Sequence, residues 1–167
     1  MTISLRTRLA ILAPLLVLGL LVDQLSKLWA ISALQGGPRF SFLFDTLRLT
    51  YAENTGAFLG LGTNLPPHLR FVIFTALVGV FLAALLIYLL WSKEMDRLSL
   101  AALGLVFVGG FSNFIDRAQN EGAVVDFLNM GFGSLRTGIF NLADVYIMVG
   151  AGLLIFGQWW LDRRKSA

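Results

Sequence analysis

Apolar residues arrive in this chain in long unbroken blocks, and that feature constrains the fold more than any other. The first block runs without interruption from near Leu9 to Val22, only about 21 Å of helix at 1.5 Å per residue. A hydrocarbon core roughly 30 Å thick needs about 20 residues. The segment therefore has to continue through Asp23 and Lys27 to about Ala33, carrying two charges into the outer part of a bilayer. Further blocks run from about Leu69 to Trp91, from Leu98 to about Ile115, and from roughly Ile139 to Leu161. The spacing predicts four transmembrane helices, approximately 9–33, 69–91, 98–115 and 139–161, in one integral-membrane domain over 1–167.

Composition agrees. The chain is 57% hydrophobic and 14% charged, whereas about a quarter of a soluble protein is charged. A pI near 9.7 would suggest nucleic acid in a soluble protein; here the excess charge is read as setting topology, with no nucleic-acid partner. Arg6, Arg8, Lys93, Arg97, Arg163, Arg164 and Lys165 gather at one set of span ends, against Glu94, Asp96 and Asp162. The positive-inside rule then puts both termini in the cytoplasm, with Trp91, Trp159 and Trp160 in the inner aromatic belt. Arg6 and Arg8 ahead of an apolar run, with Ala30-Ile31-Ser32 after it, also resemble a cleavable export signal. Asp23 and Lys27 in between argue against that reading.

The outward segments carry a different period. Phe40, Phe42 and Phe44 alternate, as do Leu47, Leu49 and Tyr51, around the turn-prone Asp45-Thr46, which predicts a small hairpin. Phe127 to Met130 and Leu135 to Phe140, around Gly131 and Gly133, are candidates for further strands.

Ionisable groups in a membrane signal function by default. Asp23 and Lys27 share a helix face, as do Asn113, Asp116 and Arg117, and Asn141 with Asp144. Asp144 is placed about five residues into the last span, and Asp126 lies in the apolar setting Val124-Val125-Asp126-Phe127. Plainer readings stand beside these. Asp23–Lys27 could be a structural ion pair, Asp116–Arg117 an interfacial one, Asn54 a turn residue, and Asp126 a loop carboxylate paired with Arg136.

The inventory narrows the chemistry. Without cysteine there are no disulfides, thiolate nucleophiles or thiolate metal sites. One histidine, His68, leaves no His-rich zinc site, and no Gly-x-Ser-x-Gly turn supports a serine triad. No metal or cofactor is expected. A serine–lysine dyad would have to join Lys27 to Ser112 or Ser32, and Gly109-Gly110 reads as close helix packing. What remains is a pair of carboxylates. Close together in a water-poor site, two aspartates share one proton and can activate water against a carbonyl.

Five motifs in order carry a resemblance to the lipoprotein signal peptidases, the signal peptidase II family of bacterial intramembrane aspartyl peptidases. They are Asp23-Gln24-Leu25-Ser26-Lys27, Asn54-Thr55-Gly56-Ala57-Phe58, Asn113-Phe114-Ile115-Asp116-Arg117, Val124-Val125-Asp126-Phe127 and Phe140-Asn141-Leu142-Ala143-Asp144. The resemblance implies four membrane helices, an extracytoplasmic β-cradle and a short periplasmic helix. It implies cleavage of diacylglyceryl-modified prolipoproteins just before the lipidated cysteine, in the inner membrane with the site toward the periplasm. By motif match Asp126 and Asp144 are the catalytic pair. Asn54, Asn113, Arg117 and Asn141 hold substrate, and Asp23, Lys27 and Asp116 support the pocket. The resemblance further implies membrane lipid as a partner and inhibition by globomycin; the chain is expected to act as a monomer. Two departures bear on substrate and inhibitor fit: Ala57-Phe58-Leu59-Gly60 is one alanine shorter than usual and lacks a serine, and Ser112 stands where glycine is common.

Two other classes fit parts of the pattern. A proton- or ion-conducting protein would use Asp23, Lys27 and Asp144, although those charges cluster on one side. A catalytically silent lipoprotein-binding module would keep the motifs without turnover.

Overall fold

The computed structural model of the chain describes residues 3–56 and 62–165, with the side chains of residues 158–162, 164 and 165 outside that description. Helix α1 spans Leu5–Leu34 and is capped by Ser4, whose hydroxyl accepts the Thr7 amide at 3.2 Å. It passes through Pro14 and past Asp23 and Lys27 without a break. Helix α2, Pro67–Trp91, starts on a proline, which suits the first helical position because the missing N–H has no partner there anyway. It contains one π-helical turn at Val72–Ala76. Helix α3, Arg97–Gln119, is capped by Asp96, which accepts the Ser99 amide at 2.8 Å. Helix α4 is Leu142–Lys165.

The first three helices are long and apolar enough to cross a membrane, and α4 is apolar over Leu142–Gly157, as far as its side chains are described. Large apolar side chains such as Leu18, Leu28, Val80, Phe81 and Ile87 point outward. Trp91 is exposed at the end of α2, whereas the side chains of Trp159 and Trp160 lie outside the described residues. At that same end Arg8, read from sequence only as a topology charge, is buried. Its guanidinium donates to the Leu89 carbonyl at 2.6 Å and to the Ser92 carbonyl, satisfying the last carbonyls of α2.

The outer segments form a four-stranded antiparallel sheet in the order β1 (Phe40–Phe42), β2 (Leu47–Asn54), β3 (Val124–Phe132), β4 (Leu135–Arg136). The predicted hairpin is present, Phe40 opposite Leu49 and Phe42 opposite Leu47. Its turn holds Leu43, Phe44 and Asp45 at φ of 53°, 54° and 67°, a left-handed run costing about 1–2 kcal/mol per residue. Strand β3 begins at Val124, earlier than the expected Phe127, so Asp126 sits on a strand and not in a loop. Phe140 joins only as an isolated bridge to Leu128. The short outer helix that the resemblance implies is not a separate element among the described residues. Residues 57–61, including most of the shortened motif, lie outside them.

Between lipid-embedded helices the hydrophobic effect supplies little attraction, so close backbone approach through small residues matters most. The reading of Gly109-Gly110 as packing residues is borne out. A Cβ on Gly109 would overlap the Ala143 carbonyl oxygen, one on Gly110 would press on Leu82, and one on Gly150 would press on the Ala102 carbonyl. Since backbone cannot swing aside, Gly109→Ala is expected to cost roughly 1–3 kcal/mol, seen as a lower melting temperature in detergent. Gly152→Ala, where nothing lies within 4 Å of the added methyl, should cost nothing.

Candidate active site

Three polar side chains of α1 meet three of α3 at the end of the helices nearest the sheet, because offsets of three and four place each set on one helix face. Lys27 is buried at the centre. Its ammonium contacts Asp23 at 2.7 Å and Asp116 at 2.9 Å, and donates to Asn113 Oδ1 at 3.0 Å. The Asp23–Lys27 pair is thus real but only half of a triad. Asp116 pairs with Lys27 and not with Arg117, since adjacent residues on a helix point about 100° apart. Gln24 and Ser112, which the sequence did not single out for this role, complete the shell. Gln24 donates to Asp116 at 2.7 Å and to the Ser112 hydroxyl at 2.9 Å, and that hydroxyl donates to Asp23 at 2.7 Å. With Lys27 held by two carboxylates and Ser32 bonded to the Trp29 carbonyl, no serine–lysine dyad forms.

Each carboxylate of the triad also reaches a backbone amide. Asp116 Oδ2 accepts the Val125 N–H at 3.3 Å, and Asp23 Oδ1 accepts the Ala143 N–H at 2.8 Å. Those amides immediately precede Asp126 and Asp144. Two neighbours of one buried cation therefore set the strand carrying one aspartate and the helix carrying the other.

Asn141 joins the two. It caps α4 reciprocally with Asp144: the Asp144 amide donates to Asn141 Oδ1 at 3.0 Å, and the Asn141 amide donates to Asp144 Oδ2 at 3.3 Å. This cap starts the helix at Leu142, so Asp144 lies in the first turn and not five residues in. The side-chain amide of Asn141 donates to Asp126 Oδ1 at 2.7 Å and to Asn113 Oδ1 at 3.1 Å. Asn113 in turn donates to Asp144 Oδ1 at 3.0 Å. Lys27 can only donate, so Asn113 must present its oxygen there and its NH₂ to Asp144. The cation thereby fixes the polarity of the whole amide chain.

Asn54, at the end of β2, donates to Asp126 Oδ2 at 3.0 Å while its own oxygen accepts the Gly56 amide at 3.0 Å, so it is both a turn residue and a site residue. Asp126 does not meet Arg136, which bonds Asn129 and the Asp45 carbonyl. Arg117 donates to the Gly56 carbonyl at 2.7 Å, and its Nε is buried without a partner among the described residues. Burial, then the nearby Asp144 carboxyl, push Asp126 up to about 7 against the opposing donors Asn54 and Asn141.

Asn54, Asn113, Arg117, Asp126 and Asp144 all border one cavity of about 340 Å³. Its remaining walls are mainly apolar: Phe74 and Val78 from α2, Gly110 from α3, and Ile147, Met148 and Ala151 one and two turns along α4. The charged side chains of the network cluster at one end of the helices, whereas a conducting path needs them through the depth. Replacing Lys27 by Met leaves Asp23 and Asp116 buried without their cation. Such a loss costs about 3–5 kcal/mol, expected as a large drop in melting temperature, which adding Asp116→Asn should partly restore.

Comparison with known proteins places this geometry in context. Residues 15–160 match the family described as Signal peptidase (SPase) II. A lipoprotein signal peptidase of Borreliella afzelii is 33% identical over 147 residues, 85% of each chain. One of Bifidobacterium adolescentis is 35% identical over 161 residues, covering 91% of this chain and 79% of the relative. A solved bacterial membrane enzyme, determined by the in meso method at 2.3 Å, superposes with a TM-score of 0.76 at 26% identity, covering 98% of this chain and 94% of that one. A second, at 1.9 Å, gives 0.73 at 26% identity, covering 94% and 95%.

Proposed function

The chain belongs to the signal peptidase II family, and on that premise we propose that it is an aspartic endopeptidase that removes signal peptides from prolipoproteins, with Asp126 and Asp144 as its catalytic pair. The observation that carries the aspartic assignment is the bridge made by one residue: the Asn141 amide holds Asp126 while its backbone N–H and side-chain oxygen hold Asp144. Both carboxyls border a cavity whose other walls suit an extended apolar chain.

In this mechanism the pair holds one proton and titrates as a unit. The ionised carboxylate takes a proton from a water as its oxygen attacks the scissile carbonyl. The protonated partner donates to the carbonyl oxygen, giving the tetrahedral intermediate, and protonation of the leaving amine completes cleavage. Asn54, Asn113 and Asn141 keep the carboxyls oriented and bind substrate beside them. Arg117, on the wall of the cavity beside both aspartates, donates to a substrate carbonyl. Asp23, Lys27 and Asp116 act as supports.

In this reading the chain is one domain over 1–167 with four spans, α4 being the fourth, and both termini lie in the cytoplasm. The sheet is the cradle on the periplasmic side of the inner membrane. The substrate carries a diacylglyceryl cysteine whose acyl chains stay in lipid beside the site. The chain acts as a monomer without metal or cofactor and is inhibited by globomycin.

Asp126→Asn and Asp144→Asn are each expected to lower cleavage of a lipidated prolipoprotein by at least about 10³-fold, read on gels. Near-normal turnover in either variant sinks the assignment. The raised Asp126 has a stability signature too. The folded protein keeps the proton up to about 7 while the unfolded chain releases it near 3.8, so stability falls as pH rises through that window. Asp126→Asn, fixed in a neutral form, should lose this dependence, so that its melting temperature relative to the parent is higher at pH 8 than at pH 4, whatever the amide costs against the Asn54 and Asn141 donors.

A further inference from the structure

Strand β3 does not end where its task at the site ends. Val125 and Phe127 pack on Ala30 and Leu34 at the outer end of α1, with Phe127 edge-on to Trp29 at 6.5 Å. Trp29 belongs to the outward, lipid-facing side of α1 together with Leu25 and Leu28. Beyond this crossing β3 continues for five residues to Phe132, about 16–17 Å at strand rise. The far end of the sheet thus projects past its contact with α1.

That overhang is apolar where a water-facing tip would be polar. The β1–β2 turn and the β3–β4 turn lie side by side, joined by the Gly131 amide to the Thr46 carbonyl and by Arg136 to the Asp45 carbonyl. They present Leu43 at 71%, Phe44 at 107%, Phe132 at 76% and Leu135 at 82% exposure, with Phe42 and Met130 behind them. Clustered exposure of this kind marks an interaction surface. The left-handed turn that lifts Leu43 and Phe44 outward is held by Asp45, whose carboxylate takes Arg48 and Ser41 and faces Arg136. Arg48 beside it holds the Asp45 carboxyl well below the usual carboxylate range, so the clamp stays charged.

We infer that this tip is a membrane-surface anchor: Leu43, Phe44, Phe132 and Leu135 insert into the interfacial layer of the bilayer flanking α1. The occupant is lipid because β3 reaches the tip by crossing the exposed apolar side of α1 at Trp29, and because the exposed side chains at the two turns are apolar like those of that helix side. Since Asp126 lies on the same strand, anchoring the far end of β3 limits how that strand tilts over the site. The inference rests on the membrane reading of the helices and not on the peptidase assignment.

The absence of native cysteine makes a clean test available. Single variants Phe44→Cys, Leu135→Cys, Asn120→Cys and Val80→Cys, each carrying an environment-sensitive fluorophore, are reconstituted into phosphatidylcholine–phosphatidylglycerol vesicles. Quenching is read with lipids spin-labelled at shallow and deep positions and with aqueous iodide. Labels at positions 44 and 135 should be quenched severalfold more by the shallow lipid label than the label at exposed position 120, and should be shielded from iodide. Position 80, mid-helix on α2, should respond to the deep label, which checks the membrane reading separately. Iodide access at 44 and 135 equal to that at 120, with 80 still deep, overturns the anchor and leaves that reading standing.

Discussion

The arrangement of this protein depends on one ammonium group placed where water cannot solvate it. Lys27 sits on a helix that faces lipid along most of its length, and its charge is tolerable only because Asp23, Asp116 and the Asn113 oxygen surround it. The cluster carries a net negative charge, and that charge is spread over donors: Ser112 and the Ala143 amide on Asp23, Gln24 and the Val125 amide on Asp116. A buried ion cluster of this kind adds little stability compared with a well-packed apolar core. What it does supply is a fixed geometry. Apolar contacts between helices allow sliding and rotation at small cost, whereas hydrogen bonds to a buried charge are directional and expensive to break.

That geometry is exported through two backbone amides, one on each side of the cation. The Val125 amide precedes Asp126 and the Ala143 amide precedes Asp144, so α3 through Asp116 sets one aspartate, α1 through Asp23 sets the other, and Lys27 ties the two carboxylates together. The Asn141 cap then adds a direct link, and the close approach of α3 to α4 at Gly109 brings Ala143 within reach. The Gly109 contact and the Asp23 bond act on the same residue. A methyl at 109 would therefore disturb the carboxylate geometry as well as the packing.

The sequence made much of this legible, for physical reasons that differ from residue to residue. Long apolar runs show the helices because a bilayer rewards nothing else, and alternation at Phe40, Phe42, Leu47 and Leu49 shows the hairpin because one strand face differs from the other. The start of β3 was hidden for the opposite reason. Residues 123–127 are buried without interruption, so no period-two signal exists there, and Asp126 read as a loop residue. The start of α4 was misplaced because Ile139 and Phe140 are apolar but precede the cap, Phe140 being bridged to Leu128. Partner choice is the least legible feature. Adjacency in sequence suggested Asp116 with Arg117, while Asp116 found Lys27 some ninety positions away, and nothing in the sequence marked Gln24 as the donor to Asp116 or Ser112 as the donor to Asp23.

The same contrast explains why the aspartates sit on different kinds of element. A carboxyl in the middle of a membrane helix would need its own buried cation. At a helix start it is served by amides that have no partner within the helix, as Asp144 is served by Asn141. A carboxyl on a strand crossing above the helices can be lowered toward the first without entering the hydrocarbon, and Asn54 and Asn141 hold it there. Burial, with the Asp144 carboxyl beside it, then pushes Asp126 far enough above an ordinary aspartate that one proton is retained near neutral pH.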